Sequence, residues 1–202
     1  EEVRWLRPPK RPQRLPEVLS GTDVARLLRA VRSMRHRAVL MTCYAAGLRI
    51  AEACALQVAD IDSGRMVLRV RDGKGGRERY VMLSRRLLRF LRKYWRKARP
   101  AGPFLFPGRD GARPIRRASV HRAFRAAVAD AGLPRRVTTH TLRHSFATHL
   151  LESGGDLRVI HALLGHASIR STTLYAKVST RLIGRTRSPL DLLGTTEGAL
   201  FG

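Results

Sequence analysis

The sequence predicts an α+β domain that is mainly α-helical and carries one small antiparallel β-sheet. Two observations predict it. Apolar residues recur three and four apart through most of the chain, the spacing of amphipathic helices. A single stretch between Met66 and Leu83 instead alternates apolar and polar residues around a glycine-rich turn, the pattern of a hairpin. At 202 residues the chain is long enough for one sizeable core, or for one domain with additional arms.

Taken in order, Arg4 to Ser20 holds Pro8, Pro9, Pro12 and Pro16 among five basic residues. Proline at this density favours extended backbone, so residues 1–20 read as a linker rather than a folded element. A helix opens with Ser20 or Thr22 as cap and runs through Val24, Leu27, Leu28 and Val31. A second covers about His36 to Ala46 and stops at Gly47, and a third, about Ile50 to Leu56, offers Ala51, Cys54 and Ala55 as small packing residues. From Arg65 the texture changes. Met66, Leu68 and Val70 alternate with Val67, Arg69 and Arg71, Asp72 to Gly76 turns the chain, and Tyr80 to Leu83 return it. A helix over about Arg85 to Ala98 is amphipathic through Leu87, Leu88, Leu91 and Trp95, and Phe104-Leu105-Phe106-Pro107 makes a short buried stop. Helices resume at about Ala118 to Ala131, Leu142 to Glu152, Leu157 to Leu163 and Ser171 to Val178. The folded domain is expected over residues 21–187, followed by a tail at 188–202 whose one apolar cluster is Leu190, Leu192 and Leu193.

Composition narrows the function. The formal net charge is +25 and the pI about 11.8, from 40 Lys+Arg against 15 Asp+Glu. An arginine-for-lysine preference explains the choice of base but not the shortage of acids. Such an excess suits a polyanion, because each phosphate contact releases condensed counterions. Aromatic residues are only 6%, which disfavours a stacking platform for single strands and makes double-stranded DNA the expected partner. Cys43 and Cys54 fall in apolar helical pattern and read as small core residues of a reduced compartment. No apolar run approaches the roughly 18 residues of a membrane helix, and the Glu1-Glu2 opening with its basic, proline-rich sequel does not resemble a signal peptide. A cytoplasmic protein is expected.

The chemistry concentrates in the last third. His140 and Arg143 stand three apart at a helix start, hence on one face, with Thr138 and Thr139 as caps and the helix N-terminus favouring a phosphate. Leu163-Leu164-Gly165-His166 ends the next helix with a histidine at its corner, and Tyr175 follows nine residues later. Upstream, Arg49 comes just after the helix-ending Gly47, and Lys74 sits at the hairpin tip. Two arginines, a lysine, two histidines and a tyrosine, with no carboxylate among them, can hold a phosphodiester and stabilise its five-coordinate transition state without a metal. In such a set Tyr175 is the nucleophile, while Arg49 and Arg143 clamp the non-bridging oxygens. His140 and His166 hydrogen-bond the same oxygens and move protons, and Lys74 protonates the leaving oxygen. A phosphotyrosyl product conserves the energy of the linkage, so resealing requires no cofactor, neither ATP nor a metal ion. Arg49, His140, Arg143 and His166 should therefore converge on one basic concavity.

Gly-Leu-Arg-Ile-Ala-Glu at 47–52, Gly-Lys-Gly-Gly-Arg-Glu-Arg at 73–79, and the run from His140 to Leu151 resemble the phage-integrase, or tyrosine recombinase, family. So do Leu-Leu-Gly-His at 163–166 and the interval from His166 to Tyr175. The resemblance extends from about Leu15 to about Arg181, is closest to Xer-type and transposon-associated members, and fills six active-site positions in order. It implies the catalytic-domain fold of that family and site-specific recombination through a 3′-phosphotyrosyl link and a free 5′-hydroxyl. It also implies four protomers on two DNA sites. An N-terminal helical domain of the kind that closes around DNA in the family has no counterpart here, so the chain reads as a catalytic fragment preceded by an interdomain linker. Residues 189–193 correspond either to a segment that docks on a neighbouring protomer or to one folded back on its own domain.

Other readings stand beside these. Type IB topoisomerases use a closely similar site for relaxation, and a non-catalytic DNA-binding relative would keep the fold without the reaction. Arg77 and Arg79 in the hairpin are expected to touch DNA phosphates or solvent. His36, His121, His144, His149 and His161 read as core or capping residues, and Tyr44, Tyr80 and Tyr94 as core or interface residues. The spacing of His140 and His144 resembles a zinc helix but lacks the glutamate and a third ligand, so no metal is expected. Glu52 reads as a partner for a nearby arginine.

Overall fold

Helix α2 (Met34–Ala46) has no charged residue after Arg37, so no face of its second half requires water, and every residue from Ala38 to Ala46 is buried. The rest of the domain is arranged around it. The structure is a computed structural model that describes residues 17–71, 78–165 and 186–193. Ser20 caps α1 (Gly21–Ala30), its hydroxyl accepting the Asp23 N–H, and Val24, Leu27 and Leu28 face inward. After α2 come α3 (Ile50–Ala55), a 3₁₀ turn at Val58–Asp60, the strands β1 (Ile61–Asp62), β2 (Val67–Val70) and β3 (Arg79–Met82), and α4 (Arg85–Ala98). Helices α5 (Arg117–Asp130), α6 (Thr139–Glu152) and α7 (Leu157–Leu164) follow, and a single helical turn at Pro189–Leu192 closes the described chain. Helices α1, α3, α4, α5 and α6, strand β3 and that last turn all pack on α2. The mainly helical α+β class is as the sequence predicts.

The sheet is antiparallel in the order β1-β2-β3, one strand more than the hairpin expected. β1 is two residues long, too short to show alternation. Val67 is buried although it stands opposite in phase to Leu68 and Val70, because the sheet is covered on both faces at that point. Helix α6 starts at Thr139, three residues before Leu142, the first apolar position of its pattern. Helix α4 buries Leu87, Phe90, Leu91 and Tyr94, whereas Leu88 and Trp95 flank the core, a rotation of its inner face relative to the expected one. The helix expected at Ser171 to Val178 and the first sixteen residues lie outside the described residues.

The glycine that ends α2 is held by geometry on two counts. Gly47 has φ of 63°, the left-handed region, and a Cβ there would come within 2.5 Å of the Phe146 ring. Phe146 of α6, fully buried, is thus packed against the α2 terminus from which Arg49 emerges. Burial of such a side chain is worth roughly 2–3 kcal/mol.

The tail segment lies on its own domain. The Ser188 hydroxyl donates to the Ala45 carbonyl at 2.7 Å, and Leu190 and Leu193 are buried. Asp191 accepts from the Ser84 hydroxyl at 2.7 Å and from the Arg86 N–H at 3.1 Å, so it supplements Ser84 at the start of α4. The buried Arg86 guanidinium donates in return to the Leu190 and Leu193 carbonyls. Asp191→Ala is therefore expected to destabilise the domain by about 1–2 kcal/mol, the cost of a lost cap, measured by denaturant unfolding. An unchanged midpoint would mean that Ser84 suffices for α4.

Candidate active site

Arg49 is the residue that precedes the first turn of α3, in extended conformation after the left-handed Gly47. Three positions on, Glu52 turns back, its carboxylate accepting the Arg49 backbone N–H at 2.8 Å and the Arg49 Nη1 at 3.0 Å. The same carboxylate accepts two parallel bonds from Arg79, Nη1 to Oε1 at 3.0 Å and Nη2 to Oε2 at 2.8 Å. Arg143 reaches it from α6, with Nη1 at 3.8 Å from Oε2. The Glu52 side chain is 7% exposed, against 32% for Arg49, 13% for Arg79 and 8% for Arg143. Three guanidinium groups from three elements thus meet at one buried carboxylate.

Arg143 also fastens the backbone. Its Nη1 donates to the Gly47 carbonyl at 2.7 Å and its Nη2 to the Leu164 carbonyl, the latter just before the left-handed Gly165 that caps α7. These bonds tie the end of α2, which leads into Arg49, to the end of α7, which leads into His166. Burial lowers the Arg143 pKa to about 10, assisted by the charge of Arg49 and opposed by Glu52. Burial alone would raise the Glu52 carboxyl, but the hydrogen bond and charge of Arg79, then the hydrogen bonds from Arg49, outweigh it and hold the pKa below the ordinary carboxylate value.

His140 is exposed at the second position of α6, one turn before Arg143. The structure therefore brings Arg49 and Arg143 together, with His140 on the adjoining helical turn. Lys74 and Arg77 (72–77) and His166 and Tyr175 (166–185) lie outside the described residues, so the convergence expected of Arg49, His140, Arg143 and His166 is seen only as the meeting of Arg49 and Arg143 at Glu52.

Arg79 is a correction. The sequence places it facing DNA or solvent, but it points inward, with Nε donating to the Leu163 carbonyl at 3.1 Å and the rest of its fork on Glu52. The register explains this. Arg79 pairs with Val70 and Val81 with Leu68, so all four share the core face of the sheet. Parity with Val81 is the signal available in the sequence. Glu52 does partner arginines, as its position suggests. His144, read as a core or capping residue, is exposed, whereas His149 bonds the buried Tyr44 hydroxyl at 2.9 Å and His36 bonds Ser119 at 2.9 Å.

A concavity of about 1030 Å³ opens along α3, with Ala51, Cys54 and Ala55 at its wall. Arg35, Arg109, Arg113, Arg116, Arg117 and Arg122 line the rest, from α2, the loop after Phe106 and α5. Because α3 is six residues long, about 9 Å, this arginine-lined groove begins within two turns of Arg49. The sequence signal is the cluster of arginines around Pro114, which the helical pattern alone does not reveal. Cys43 and Cys54 are both buried free thiols, and burial raises the pKa of each, Cys54 to about 11, so neither is poised as a nucleophile. Among the described residues no cluster of three or more His, Cys, Asp or Glu is placed to hold a metal, and no helix is long and apolar enough to cross a membrane.

Because the Glu52 pKa is depressed on folding, its ionised form contributes stability above the ordinary carboxylate value, and that contribution is lost as pH falls through the folded value. Glu52→Gln should cost on the order of 3 kcal/mol at neutral pH by leaving the arginines unneutralised. The gap to wild type should narrow as the medium is taken below pH 4.5, the unperturbed carboxyl value. Denaturant unfolding across pH checks this; a constant gap would mean that Glu52 acts by packing alone.

Residues 17–181 match the phage integrase family. The integrase/recombinase y4qK of Sinorhizobium fredii is 50% identical over 185 residues, which are 92% of this chain and 60% of that protein. The tyrosine recombinase XerA of Pyrococcus horikoshii is 35% identical over 199 residues, 98% of this chain and 69% of that one. Among solved structures, the crystal structure of XerA recombinase matches with a TM-score of 0.70 at 33% identity, covering 86% of this chain and 63% of that one. XerH recombinase bound to its palindromic difH substrate, a post-cleavage complex, matches with a TM-score of 0.67 at 26% identity, covering 81% of this chain and half of XerH. This sequence thus spans only part of the length of such relatives, and within that part it has the fold of a tyrosine recombinase catalytic domain and belongs to the phage integrase family.

Proposed function

We propose that this chain cuts and rejoins double-stranded DNA as the catalytic domain of a site-specific recombinase, with Tyr175 as nucleophile. The observation that carries the reading is the pair Arg49 and Arg143, drawn from segments far apart in sequence onto one buried carboxylate beside a groove lined with arginine. A structural ion pair needs one arginine. Two, with a third holding the carboxylate, leave excess positive charge in a partly desolvated place, where it favours a doubly charged phosphorane over a singly charged phosphodiester.

The reaction follows from the residues. The Tyr175 oxygen attacks the scissile phosphorus as its proton passes to one of the two site histidines, and the bond from phosphorus to the 5′-oxygen breaks. Arg49 and Arg143 donate to the non-bridging oxygens. Arg143, already fixed by the Gly47 and Leu164 carbonyls, meets the phosphate without first losing rotamer freedom. His140, near the N-terminus of α6, and His166 donate to the same oxygens and relay protons. Lys74 delivers a proton to the 5′-oxygen. The products are a 3′-phosphotyrosyl bond and a 5′-hydroxyl; attack by a 5′-hydroxyl, original or exchanged, reverses each step. The duplex runs from the clamp into the groove lined by Arg113, Arg116 and Arg122. Four protomers on two sites would complete an exchange, in the cytoplasm where the DNA lies.

Two measurements test this. On nicked duplex DNA carrying the recombination site, the full-length protein should form an SDS-resistant adduct that is absent with Tyr175→Phe. No adduct from protein that demonstrably binds the site would point to a non-catalytic DNA-binding role, and adduct with relaxation but no strand exchange would point to a topoisomerase. Binding should also weaken with salt, and replacing Arg113, Arg116 and Arg122 by alanine should reduce the slope of log affinity against log salt by about 0.9 for each phosphate left without its arginine. An unchanged slope would place the duplex elsewhere.

A further inference from the structure

Arg79 is a half-buried, inward-pointing arginine that the reaction above does not use. It stands where the hairpin that carries Lys74 returns to the sheet, paired with Val70 across β2 and β3. All three nitrogens of its guanidinium are committed: Nη1 and Nη2 to Glu52, and Nε to the Leu163 carbonyl near the end of α7. Its Nε would lie 3.2 Å from a Cβ on Gly165, whose φ is 58°, so the α7 cap is shaped around this side chain. The other foot of the hairpin is fastened in a similar way, by Arg71 Nε on Asp60 at 2.6 Å. One side chain therefore joins three segments: the hairpin of Lys74, the carboxylate that holds Arg49 and Arg143, and the turn before His166.

We propose that Arg79 is a positioning residue for strand cleavage, fixing Glu52, and through it Arg49 and Arg143, relative to the end of α7 that leads into His166. The inference rests on the cleavage reading above. Its requirement is geometric. A planar fork that grips both carboxylate oxygens and still presents Nε to a carbonyl is a property of arginine; lysine supplies the charge at a point but not the fork. Loss of the fork frees Glu52 to turn toward Arg49 or Arg143 alone, so that the two guanidinium groups no longer address one phosphate together. Misplacement of about 1 Å at a distance from the chemistry can cost 10²-fold in rate.

A pH signature separates positioning from mere stability. Glu52 is faced by Arg49 from α3, Arg79 from β3, Arg143 from α6 and the buried, neutral Cys43 thiol from α2. Without the Arg79 charge, burial is opposed by fewer cations, the Glu52 pKa rises, and the carboxylate protonates at higher pH.

The experiment is single-turnover cleavage of nicked duplex DNA by the full-length protein at saturating concentration, for wild type, Arg79→Lys and Arg79→Gln, across pH. Both variants should bind the duplex as wild type does and cleave it about 10²-fold more slowly. In Arg79→Gln the acid limb of the rate profile should move up by about one pH unit or more. In Arg79→Lys the limb should stay nearer its wild-type position while the rate remains low. Wild-type rates in both variants overturn the proposal, as does a rate defect matched by an equal loss of DNA affinity with an unmoved acid limb. If Arg79→Gln does not fold, Arg79→Lys carries the rate test; failure of both to fold makes Arg79 a stability element and also overturns it. Wild-type protein that forms no adduct would instead sink the cleavage reading, and this is seen before any variant is compared.

Discussion

A single buried carboxylate is the constraint on which this domain depends. Three guanidinium groups within hydrogen-bonding or ion-pair distance of one carboxylate repel one another, and burial makes the repulsion worse. Glu52 makes the arrangement possible, accepting Arg49 and Arg79 and standing near Arg143. Each arginine arrives on a different element, so α3, β3 and α6 have to pack correctly before the charges can balance. The apolar second half of α2 supplies the common surface for that packing. Arg143 then binds the Gly47 and Leu164 carbonyls, so the same contacts that finish the core also set the distance between the ends of α2 and α7.

Several other acids among the described residues behave in the same way on a smaller scale. Asp60 takes Arg69 and Arg71, Asp62 takes Arg65, Asp23 takes Arg26, and Asp130 takes Arg32 across the α1–α5 side. Asp60 is buried, while the Asp62, Asp23 and Asp130 pairs lie at the surface, where such pairs contribute little to stability. Their effect is on the distribution of charge: these carboxylates are spent inside the protein or close to their own neighbours. The arginines around the groove beside α3 face only Asp110 among its lining residues. A net charge of +25 thus becomes a directed field rather than a uniform one.

Much of this is legible in the sequence. Helix positions follow from apolar spacing, and Gly47 and Gly165 mark the ends of α2 and α7 because only a residue free to adopt positive φ suits those caps. Arg49, His140 and Arg143 stand out by residue type and spacing. What escapes has physical causes. β1 is too short for a period-two pattern to exist. The first turn of α6, Thr139 to Thr141, is polar because its groups cap and bond, so no apolar position announces it. The inner face of α4 is ambiguous because apolar side chains occur on both flanks, and Tyr94 with Phe106 fills the core ahead of the larger Trp95. For Arg79, charge suggests the surface, whereas strand parity with the buried Val81 requires the interior and Glu52 makes that tolerable.

The turn at Pro189–Leu192 has a kinetic consequence. Its hydrogen bond from Ser188 to Ala45 closes a loop of 143 residues, and Arg86 and Asp191 close others of more than a hundred. Contacts so distant in sequence are among the last to be rewarded during folding, because the chain entropy between them must be lost first. On the ribosome, residues 188–193 emerge after everything they stabilise. The seats for Leu190 and Leu193 therefore stay open to water until synthesis has passed this turn, and the nascent domain spends that interval with an unfinished wall beside α2 and α4. Maturation of the domain is in this sense timed by its own C-terminal side, with the α2 terminus that leads toward Arg49 among the last parts to be locked.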